Sequence, residues 1–244
     1  MKTIIFTNQK GGVGKTTLTR EIGLALASRG RRVLLIDSDP QGNLTKSLVD
    51  GEHAGLYEAL EGDGLQLTTV RDCLSLVAGD SRLAALEKRY LGEVDAYQRL
   101  TQVLEGVEGF DLVLIDSPPS LSVMTLNGLV AADSFLIPLR PALYSLQGTN
   151  DLLASVAKVK KSLNPALELL GVVLNDYLSG PIISRQIKAE IAEGFGEAVF
   201  ATVVSRTIKI EEAIASRTAV VEESTKVASE INALVDELLI RLAL

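Results

Sequence analysis

The sequence predicts a doubly wound α/β fold, in which helices cover both faces of a mostly parallel sheet. Short apolar runs bounded by turn residues alternate with longer helical patterns along the 244-residue chain. This alternation is typical of a parallel sheet whose strands are buried on both sides. No linker, low-complexity tract or internal repeat interrupts it, so we expect a single domain over residues 1–244.

The predicted elements follow one another in the order that such a fold requires. The predicted strands cover residues 3–7, 32–37, 74–78, 110–116, 133–138, 168–174 and 198–204. The predicted helices cover residues 15–29, 41–49, 81–105, 121–131, 146–163, 182–193, 209–217 and 222–242, and the third of them can break near Gly92. In open α/β sheets ligands bind at the carboxyl ends of the strands, so we expect the functional site in the loops that follow them.

The first predicted strand leads into a glycine-rich turn and then into the first predicted helix. The turn reads Lys-Gly-Gly-Val-Gly-Lys-Thr-Thr over residues 10–17. Glycines allow backbone N–H groups to close around phosphates, and the N-terminus of the following helix adds partial positive charge. Lys15 is then expected to contact the β- and γ-phosphates and the Thr16 hydroxyl to bind Mg²⁺. The predicted nucleotide-binding residues of this loop are Lys10, Gly11, Gly12, Val13, Gly14, Lys15, Thr16 and Thr17.

The loop departs from the ordinary G-x-x-x-x-G-K-[ST] pattern at its first position, where Gln9 replaces glycine. A second lysine, Lys10, begins the loop instead. This K-G-G-x-G-K-T-T pattern resembles the deviant Walker A motif of the ParA/MinD family of ATPases. The resemblance implies a homodimer in which the Lys10 side chain reaches the nucleotide of the other protomer. The alternative, a glycine-rich turn with incidental lysines, is disfavoured by consecutive matches in a strand–helix context.

The second predicted strand ends in two carboxylates, Asp37 and Asp39, before a proline turn. Buried carboxylates are costly unless they are paired or bound to a metal, so their position requires a partner. The run Asp-Ser-Asp-Pro-Gln-Gly-Asn over residues 37–43 resembles the switch I region of the ParA family. The resemblance implies that Asp39 orients the attacking water and that Asp37 lies near Mg²⁺. Capping of the next helix by Asp39, with Pro40 at its first position, is an alternative, and both roles can hold together.

A third apolar run, over residues 110–116, ends in Asp116 and continues as Ser-Pro-Pro. The carboxylate stands where a Walker B motif holds Mg²⁺ through water. The Asp-Ser-Pro-Pro continuation is similar to switch II of the same family, whose prolines stiffen the turn so that loss of the γ-phosphate is transmitted. A core strand capped by an aspartate turn is the alternative interpretation.

Two further stretches bear on the base of the nucleotide. GTPases of the wider class carry an [NT]-K-x-D element after a late strand, whereas Asn175 is followed here by no lysine–aspartate pair. An asparagine amide both donates to and accepts from adenine, so ATP is favoured over GTP. Residues 203–213 resemble the base-flanking loop of the ParA family, with Ser205 and Thr207 in place of proline and asparagine. Arg206 in this loop can pair with an acidic neighbour, contact DNA or remain solvated.

The composition excludes several classes of protein. Lysine and arginine number 24 against 31 acidic residues, a net charge of −7, so no global positive field attracts polyanions. Cys73 is the only cysteine, which excludes an internal disulfide and a cysteine-bound cluster within one chain. No apolar run is long enough to span a membrane, and the phosphate loop lies too close to the first residue for a signal peptide. We therefore expect a soluble, cytoplasmic protein.

The predicted last helix argues against a membrane anchor, which MinD-like relatives carry at this end. Its polar face holds Glu230, Asp236 and Glu237 against one basic residue, Arg241. Anionic headgroups repel an acidic face, so we expect this helix to pack against the sheet.

Contact with nucleic acid would have to use local basic clusters. These are Lys158, Lys160 and Lys161, then Arg185 and Lys188, and then Arg206, Lys209 and Arg217. Each cluster alone is typical of a solvated face, whereas two faces side by side in a dimer would follow a phosphate backbone. ParA relatives bind nonspecific duplex DNA when ATP-bound, and the resemblance carries this role to Arg185, Lys188 and Arg206.

The resemblance spans nearly the whole chain and rests on three ordered motifs. It implies a ParA-type partition ATPase that binds ATP and Mg²⁺, dimerises around two nucleotides and associates with the nucleoid. No built-in arginine finger is evident, so we expect slow hydrolysis that a ParB-like partner accelerates. Two other interpretations stay open: a ParA-like positioner of a carboxysome, chemotaxis array or other cargo, and a biosynthetic P-loop ligase of the dethiobiotin synthetase type.

Overall fold

A computed structural model describes residues 1–141, 145–178 and 182–244, with side chains described for residues 1–141, 149–178 and 186–244. The strands in these ranges are β1 (Lys2–Phe6), β2 (Val33–Asp37), β3 (Thr68–Arg71), β4 (Leu74–Val77), β5 (Leu112–Asp116), β6 (Ser134–Leu139), β7 (Glu168–Tyr177) and β8 (Val199–Ser205). They form one sheet in the order β3-β4-β2-β5-β1-β6-β7-β8. Only β3 and β4 pair antiparallel among the described strands. The predicted doubly wound, mostly parallel sheet is therefore confirmed.

Helices cover both faces of this sheet. They are α1 (Lys15–Ser28), α2 (Asn43–Leu48), α3 (Leu56–Glu61), α4 (Leu83–Tyr90), α5 (Arg99–Glu105), α6 (Val123–Ala131), α7 (Ser145–Ser162), α8 (Ile182–Phe195), α9 (Lys209–Ser216) and α10 (Lys226–Leu242). One hydrophobic core contains side chains of α1, α2, α9 and α10, and a second core contains side chains of α3 to α8.

Side chains of each strand alternate between the two cores. In β1, Ile4 and Phe6 belong to the core beneath α1, while Ile5 belongs to the opposite core. All three side chains are fully buried, as expected for a strand with a helical layer on each side. This double burial explains why the central strands read as nearly continuous apolar runs. The last helix, α10, packs its apolar face in the first core, in agreement with its predicted packing against the sheet.

Two short elements were not predicted, and the break that the sequence allowed near Gly92 is confirmed. The edge strand β3 was missed because its sequence, Thr-Thr-Val-Arg, is only partly buried and has no apolar run. The short helix α3 was also missed, since its core contacts come from only a few residues. The predicted helix over residues 81–105 is two helices, because the segment 91–98 between them turns at Gly92, whose φ is +96°.

The sheet brings three loops to one place. Strand β1 lies between β5 and β6, where the chain order reverses direction, and this is the point at which open α/β sheets bind ligands. In the register of the sheet Asp116 is aligned with Phe6 on one side and with Asp37 on the other. The glycine-rich loop and both aspartate loops therefore begin at the same level of the same edge.

Candidate active site

The glycine-rich loop after β1 has a backbone that requires glycine. Gly14 is the N-cap residue of α1 and has a φ of +96°, in the left-handed region. A Cβ atom built on it would lie 1.9 Å from the side-chain nitrogen of Asn175. At the start of the loop, the Asn8 amide donates to the Pro138 carbonyl at 2.8 Å and its Oδ1 accepts from the Lys10 backbone N–H at 3.0 Å. The start of the loop is thus tied to β6, and Gly14 packs against a side chain of β7.

Lys15, the first residue of α1, is buried beneath this loop. Its ammonium donates to the Lys10 carbonyl at 3.3 Å, its one hydrogen bond among the described residues. Burial lowers the pKa of Lys15, and the Asp116 and Asp39 carboxylates oppose this shift. An ammonium has three donors, so Lys15 keeps donors for an anionic ligand, as predicted for its role with the phosphates.

The Thr16 hydroxyl and the Asp116 carboxylate form the predicted magnesium pair. Thr16 Oγ1 donates to Asp116 Oδ2 at 2.6 Å. The other carboxylate oxygen, Oδ1, is buried and has no hydrogen-bond partner in the described part of the chain. Burial raises the pKa of Asp116 well above its ordinary value, and the Asp37 carboxylate adds to this, against the Thr16 hydroxyl and Lys15. An unpaired buried carboxylate oxygen is costly and is relieved by a cation, so the residues present fit Mg²⁺.

The described residues contain no group of three or more His, Cys, Asp or Glu side chains arranged to hold a metal ion. Magnesium usually takes one or two protein oxygens and completes its coordination with water and substrate phosphates. Thr16 and Asp116 supply such a partial set.

Asp37 has a different environment from the one predicted for a metal neighbour. Its Oδ2 accepts from the backbone and the hydroxyl of Thr45, both at 2.8 Å, and its Oδ1 accepts from the Asp39 N–H at 3.2 Å. Burial raises the pKa of Asp37 to about 6, against the hydrogen bonds from Thr45 and Asp39. These contacts indicate that Asp37 anchors the loop that carries Asp39. The predicted proximity of Asp37 to Mg²⁺ stays a prediction.

Asp39 lies on the wall of an open cavity beside the phosphate loop. It is buried, and its Oδ1 accepts from the Gln41 N–H at 2.9 Å. The alternative in which Asp39 caps the next helix with Pro40 at its first position is wrong, because α2 begins at Asn43 with Gly42 as its N-cap residue. Asp39 therefore keeps its other oxygen, Oδ2, for a ligand or water.

Lys10 differs from Lys15 in having an exposed side chain. Its ammonium makes no ion pair or hydrogen bond with any residue that the structure describes, and the residue lines a second cavity of about 310 Å³ beside the loop. The two lysines of the loop thus have different environments. Lys15 is buried and lines the main cavity, whereas Lys10 is exposed and lines the second one.

The main cavity has a volume of about 730 Å³, within the range of nucleotide-sized sites. Its floor is the phosphate loop and the start of α1, its first wall is Asp39 with α2, and its second wall is the end of β8 with α9. Asn175 lines it as well, but its Nδ2 donates to the Val13 carbonyl at 3.0 Å. The amide thus holds the phosphate loop, and its predicted contact with adenine stays a prediction that rests on Oδ1.

Arg206 pairs with an acidic neighbour, one of the three roles open to it. Asp176, at the end of β7, lies 2.5 Å from the Arg140 guanidinium and 3.6 Å from that of Arg206. Asp176 has a φ of +55°. The sequence predicted neither this backbone conformation nor the ion pairs of Asp176, because only the residue type itself pointed to them. The Lys188 ammonium lies 5.9 Å from the centre of the Tyr177 ring. The side chain of Arg185 lies outside the described residues.

A fully buried ion pair was also missed. Arg20 and Glu21 are adjacent in α1, and both side chains are 0% exposed. The sequence shows two charged residues inside an otherwise apolar helical stretch, which is the signal that could have indicated this pair.

A parallel sheet with a glycine-rich phosphate loop after its central strand defines a P-loop nucleotide-binding protein.

Comparison with known proteins narrows this class. A family model described as an AAA domain (AAA_31) matches residues 1–169. The chromosome-partitioning ATPase Soj of Thermus thermophilus is 40% identical over 214 residues, covering 87% of this chain and 84% of that protein. The sporulation initiation inhibitor protein Soj of Bacillus subtilis is 38% identical over 222 residues, with 87% of each chain covered. The chain therefore belongs to the ParA/Soj family of P-loop ATPases, and the predicted family is confirmed.

Solved structures share the fold of this chain. A cobyrinic acid a,c-diamide synthase from Mycobacterium smegmatis with bound ADP and magnesium superimposes with a TM-score of 0.86 and 33% identity, over 100% of this chain and 96% of that one. The ATP complex of an McdA variant from Cyanothece superimposes with a TM-score of 0.89 at 23% identity, over 100% of this chain and 97% of that one, and shares the fold. No helix among the described residues has the length and apolar character needed to cross a lipid bilayer.

Proposed function

We propose that this protein is an ATPase that dimerises on MgATP, binds nonspecific duplex DNA in that state, and acts in chromosome or plasmid partition with a ParB-like partner. The observation that carries the proposal is the contrast within one loop: Lys15 is buried at the phosphate site and Lys10 is exposed beside it. A solvent-exposed ammonium beside the site is accessible to a nucleotide bound by a second protomer. Relatives named as chromosome-partitioning ATPases support the cellular role.

Hydrolysis needs positioning and charge stabilisation rather than covalent help from the protein. Lys15 and the N–H groups of the loop would hold the β- and γ-phosphates, and Thr16 and Asp116 would hold Mg²⁺. Magnesium, when bound, would supply positive charge that offsets the charge of the phosphates. Asp39 would orient the attacking water through its Oδ2, since its Oδ1 is occupied by the Gln41 N–H.

Dimer formation would complete the site. Lys10 carries a charge that no described residue neutralises, and it lines the second cavity rather than the main one. In a dimer with two nucleotides at the interface, this ammonium would contact the triphosphate bound by the other protomer. Bound ATP would then stabilise the dimer, and ATP hydrolysis would allow the protomers to dissociate.

DNA binding would use a local patch on an acidic protein. Lys188 and Arg206 both contact Tyr177, Lys188 through the ring and Arg206 through a 3.0 Å hydrogen bond from its N–H to the Tyr177 carbonyl. Both residues therefore lie near Tyr177, and Arg206 also lines the nucleotide cavity. Two such patches, one from each protomer, would supply the phosphate contacts that nonspecific binding requires.

A gel shift with random-sequence duplex DNA tests the proposal. We expect a shift with ATP, none with ADP or without nucleotide, and loss of the shift at high salt as counterions compete. Lys10→Ala should abolish the ATP-dependent shift, whereas Lys88→Ala, which removes an exposed charge from α4, should retain it. Equal DNA binding in all three nucleotide states would contradict the proposal.

One observation favours a second candidate, a biosynthetic P-loop enzyme. The Mycobacterium smegmatis neighbour, named as a cobyrinic acid a,c-diamide synthase, matches this chain over its full length. An enzyme of that class would use ATP to form amides on a small-molecule acid. ATP hydrolysis without such substrates, together with the nucleotide-dependent gel shift, separates the two functions.

A further inference from the structure

A buried ion pair lies beneath the nucleotide cavity and takes no part in the chemistry described above. Arg20 and Glu21 occupy the second turn of α1, and the Arg20 guanidinium donates to Glu21 Oε1. Neighbouring residues on a helix do not normally face each other, so this pairing requires an environment that draws both side chains to one place. Arg20 also contributes to the lining of the cavity.

The environment consists of backbone groups from three separate segments. Arg20 donates to the Ser47 carbonyl of α2 at 3.4 Å, to the Ala213 carbonyl of α9 at 3.4 Å and to the Thr218 carbonyl at 2.9 Å. Ser47 and Ala213 belong to the last turns of their helices, where the carbonyl end of a helix carries partial negative charge. The Ala213 carbonyl also accepts from the backbone N–H groups of Arg217 and Thr218. Two helix ends therefore converge on one guanidinium.

Glu21 extends the same connection. Its Oε2 accepts from the Val220 N–H at 3.2 Å, two residues after the Thr218 carbonyl that Arg20 binds. Burial raises the pKa of Glu21, and the Arg20 charge opposes this shift. The pair thus binds the segment that follows α9 through two backbone groups, the Thr218 carbonyl and the Val220 N–H. The opposite charges of Arg20 and Glu21 compensate each other.

The elements that the pair joins are the floor and both walls of the cavity. The floor is α1, which begins with Lys15 and Thr16. The first wall is α2, which follows the Asp39 loop and lines the cavity with Asn43 and Lys46. The second wall is α9, which lines it with Ile210, Glu211 and Ile214. A buried ion pair is weak evidence for stability, because its desolvation offsets its attraction, so its location is the informative feature.

We propose that Arg20 and Glu21 are positioning residues for the nucleotide: they hold α2 and α9 at a set distance from α1 and so keep both walls of the cavity in place around ATP. Neither side chain contacts the phosphates in this role. Arg20 acts through the carbonyls of Ser47 and Ala213, and Glu21 acts through the segment after α9. The inference rests on the nucleotide binding of the proposed function, and it does not depend on DNA or on a ParB-like partner.

The test is the double variant Arg20→Met/Glu21→Gln, which removes both charges together and leaves no uncompensated one. The matched control is Arg241→Met/Glu237→Gln. Arg241 also pairs with a carboxylate on its own helix, at 3.0 Å, and donates to the carbonyls of Leu170, Ala198 and Val199. That pair lies at the amino ends of β7 and β8, away from the cavity.

Direct binding of a fluorescent ATP analogue, thermal melting and hydrogen exchange are measured for both double variants. We expect the Arg20/Glu21 variant to bind the analogue about tenfold more weakly, with faster exchange in residues 43–48 and 209–220. The control should retain wild-type affinity and change exchange only around β8 and α10. Unchanged affinity in the Arg20/Glu21 variant with a lowered melting temperature would overturn the proposal, since the pair would then be structural only.

A second variant, Arg20→Lys, keeps the charge and loses the planar fork that reaches several carbonyls. We expect it to fold and to bind the analogue about threefold more weakly. Loss of cooperative melting in both variants would overturn the proposal, because the pair would be required for folding rather than for position. Wild-type protein that binds the analogue but does not hydrolyse ATP would count against the proposed function alone.

Discussion

At the scale of single residues, the site is defined by polar atoms that the fold buries and leaves incompletely paired. Asp116 Oδ1 has no partner among the described residues, and Lys15 has one. Asp37, in contrast, has both oxygens engaged. The sequence assigned Lys15 to the phosphates, Asp116 to Mg²⁺ and Asp37 to the neighbourhood of Mg²⁺. Their contacts leave Lys15 and Asp116 with unpaired polar groups, whereas the oxygens of Asp37 hold the loop that follows β2.

Asp39 is expected to be needed for hydrolysis and dispensable for ATP binding. Asp39→Ala removes the carboxylate that would orient the attacking water, so we expect turnover to fall by at least about 100-fold. The ATP-bound dimer should accumulate. Phosphate release and size-exclusion chromatography with ATP measure the two effects. Asp63→Ala, which removes an exposed carboxylate, is the control, and wild-type turnover in Asp39→Ala would refute the assigned role.

The raised pKa of Asp37 predicts a pH dependence of stability. Its folded-state pKa is about 6, whereas an aspartate in an unfolded chain titrates near about 3.9. The folded state therefore binds more protons between these values, and this contribution to the free energy of unfolding is lost as the pH rises through about 6. Other carboxyl groups with shifted pKa values also contribute to the pH dependence of the free energy of unfolding. The wild type is therefore compared with Asp37→Asn.

The measurement is urea unfolding of the nucleotide-free wild type and of Asp37→Asn at several pH values across this range. The difference between their free energies of unfolding reports the effect of removing the Asp37 carboxyl group. The stability of the wild type relative to the variant should decline with rising pH between about 4 and about 6 and then level off. Asp63→Asn should show no such trend relative to the wild type. A flat difference for Asp37→Asn would mean that the carboxyl is not perturbed in the way its burial indicates.

At the scale of elements, the strand–loop–helix unit of β1 and α1 carries the function because of its backbone. Helix α1 begins at a glycine in the left-handed region, packed against a side chain from β7. The strand and the helix of this unit were predicted within about two residues, as their apolar periodicity is strong. The elements that were missed, β3 and α3, are short and contribute few side chains to the core, so periodicity could not reveal them.

Gly14→Ala is expected to abolish nucleotide binding. The added Cβ would meet the Asn175 amide and would stand on a backbone with a φ of +96°, so the loop would have to move. We expect affinity for an ATP analogue to fall by at least about 100-fold, measured by fluorescence titration. Gly30→Ala is a matched control, because Gly30 also has a positive φ, +76°, but has open space around it. Normal binding by Gly14→Ala would show that the loop tolerates displacement.

At the scale of the whole molecule, the arrangement of sheet and loops leaves one lysine of the phosphate loop outside the site. The exposed Lys10 ammonium has no ion-pair partner in the described parts of the chain, so it is free to contact the nucleotide of a second protomer in the proposed dimer. The net charge of −7 opposes association of two like protomers over long distances. In the proposed dimer the bound nucleotide would therefore contribute to the interface.

Lys10→Ala is expected to bind ATP as a monomer. Its own phosphate site, with Lys15, Thr16 and Asp116, is intact, so the affinity for a nonhydrolysable analogue should stay within about threefold of wild type. Light scattering after size exclusion should show a dimer for wild type with the analogue and a monomer for the variant. Lys88→Ala should remain dimeric, and a dimeric Lys10→Ala with normal turnover would refute the role of this lysine.

The sequence by itself determined the fold class, the phosphate loop and the strand-end aspartates, because apolar periodicity and a contiguous motif are local properties of a chain. Only the tertiary structure decided what each polar group does. Asn175 holds the loop, Asp37 anchors the Asp39 turn, Arg206 pairs with Asp176, and Arg20 joins the floor of the cavity to its two walls. These contacts join residues far apart in the chain or depend on which elements pack around them. The sheet order creates them, and no local pattern encodes that order.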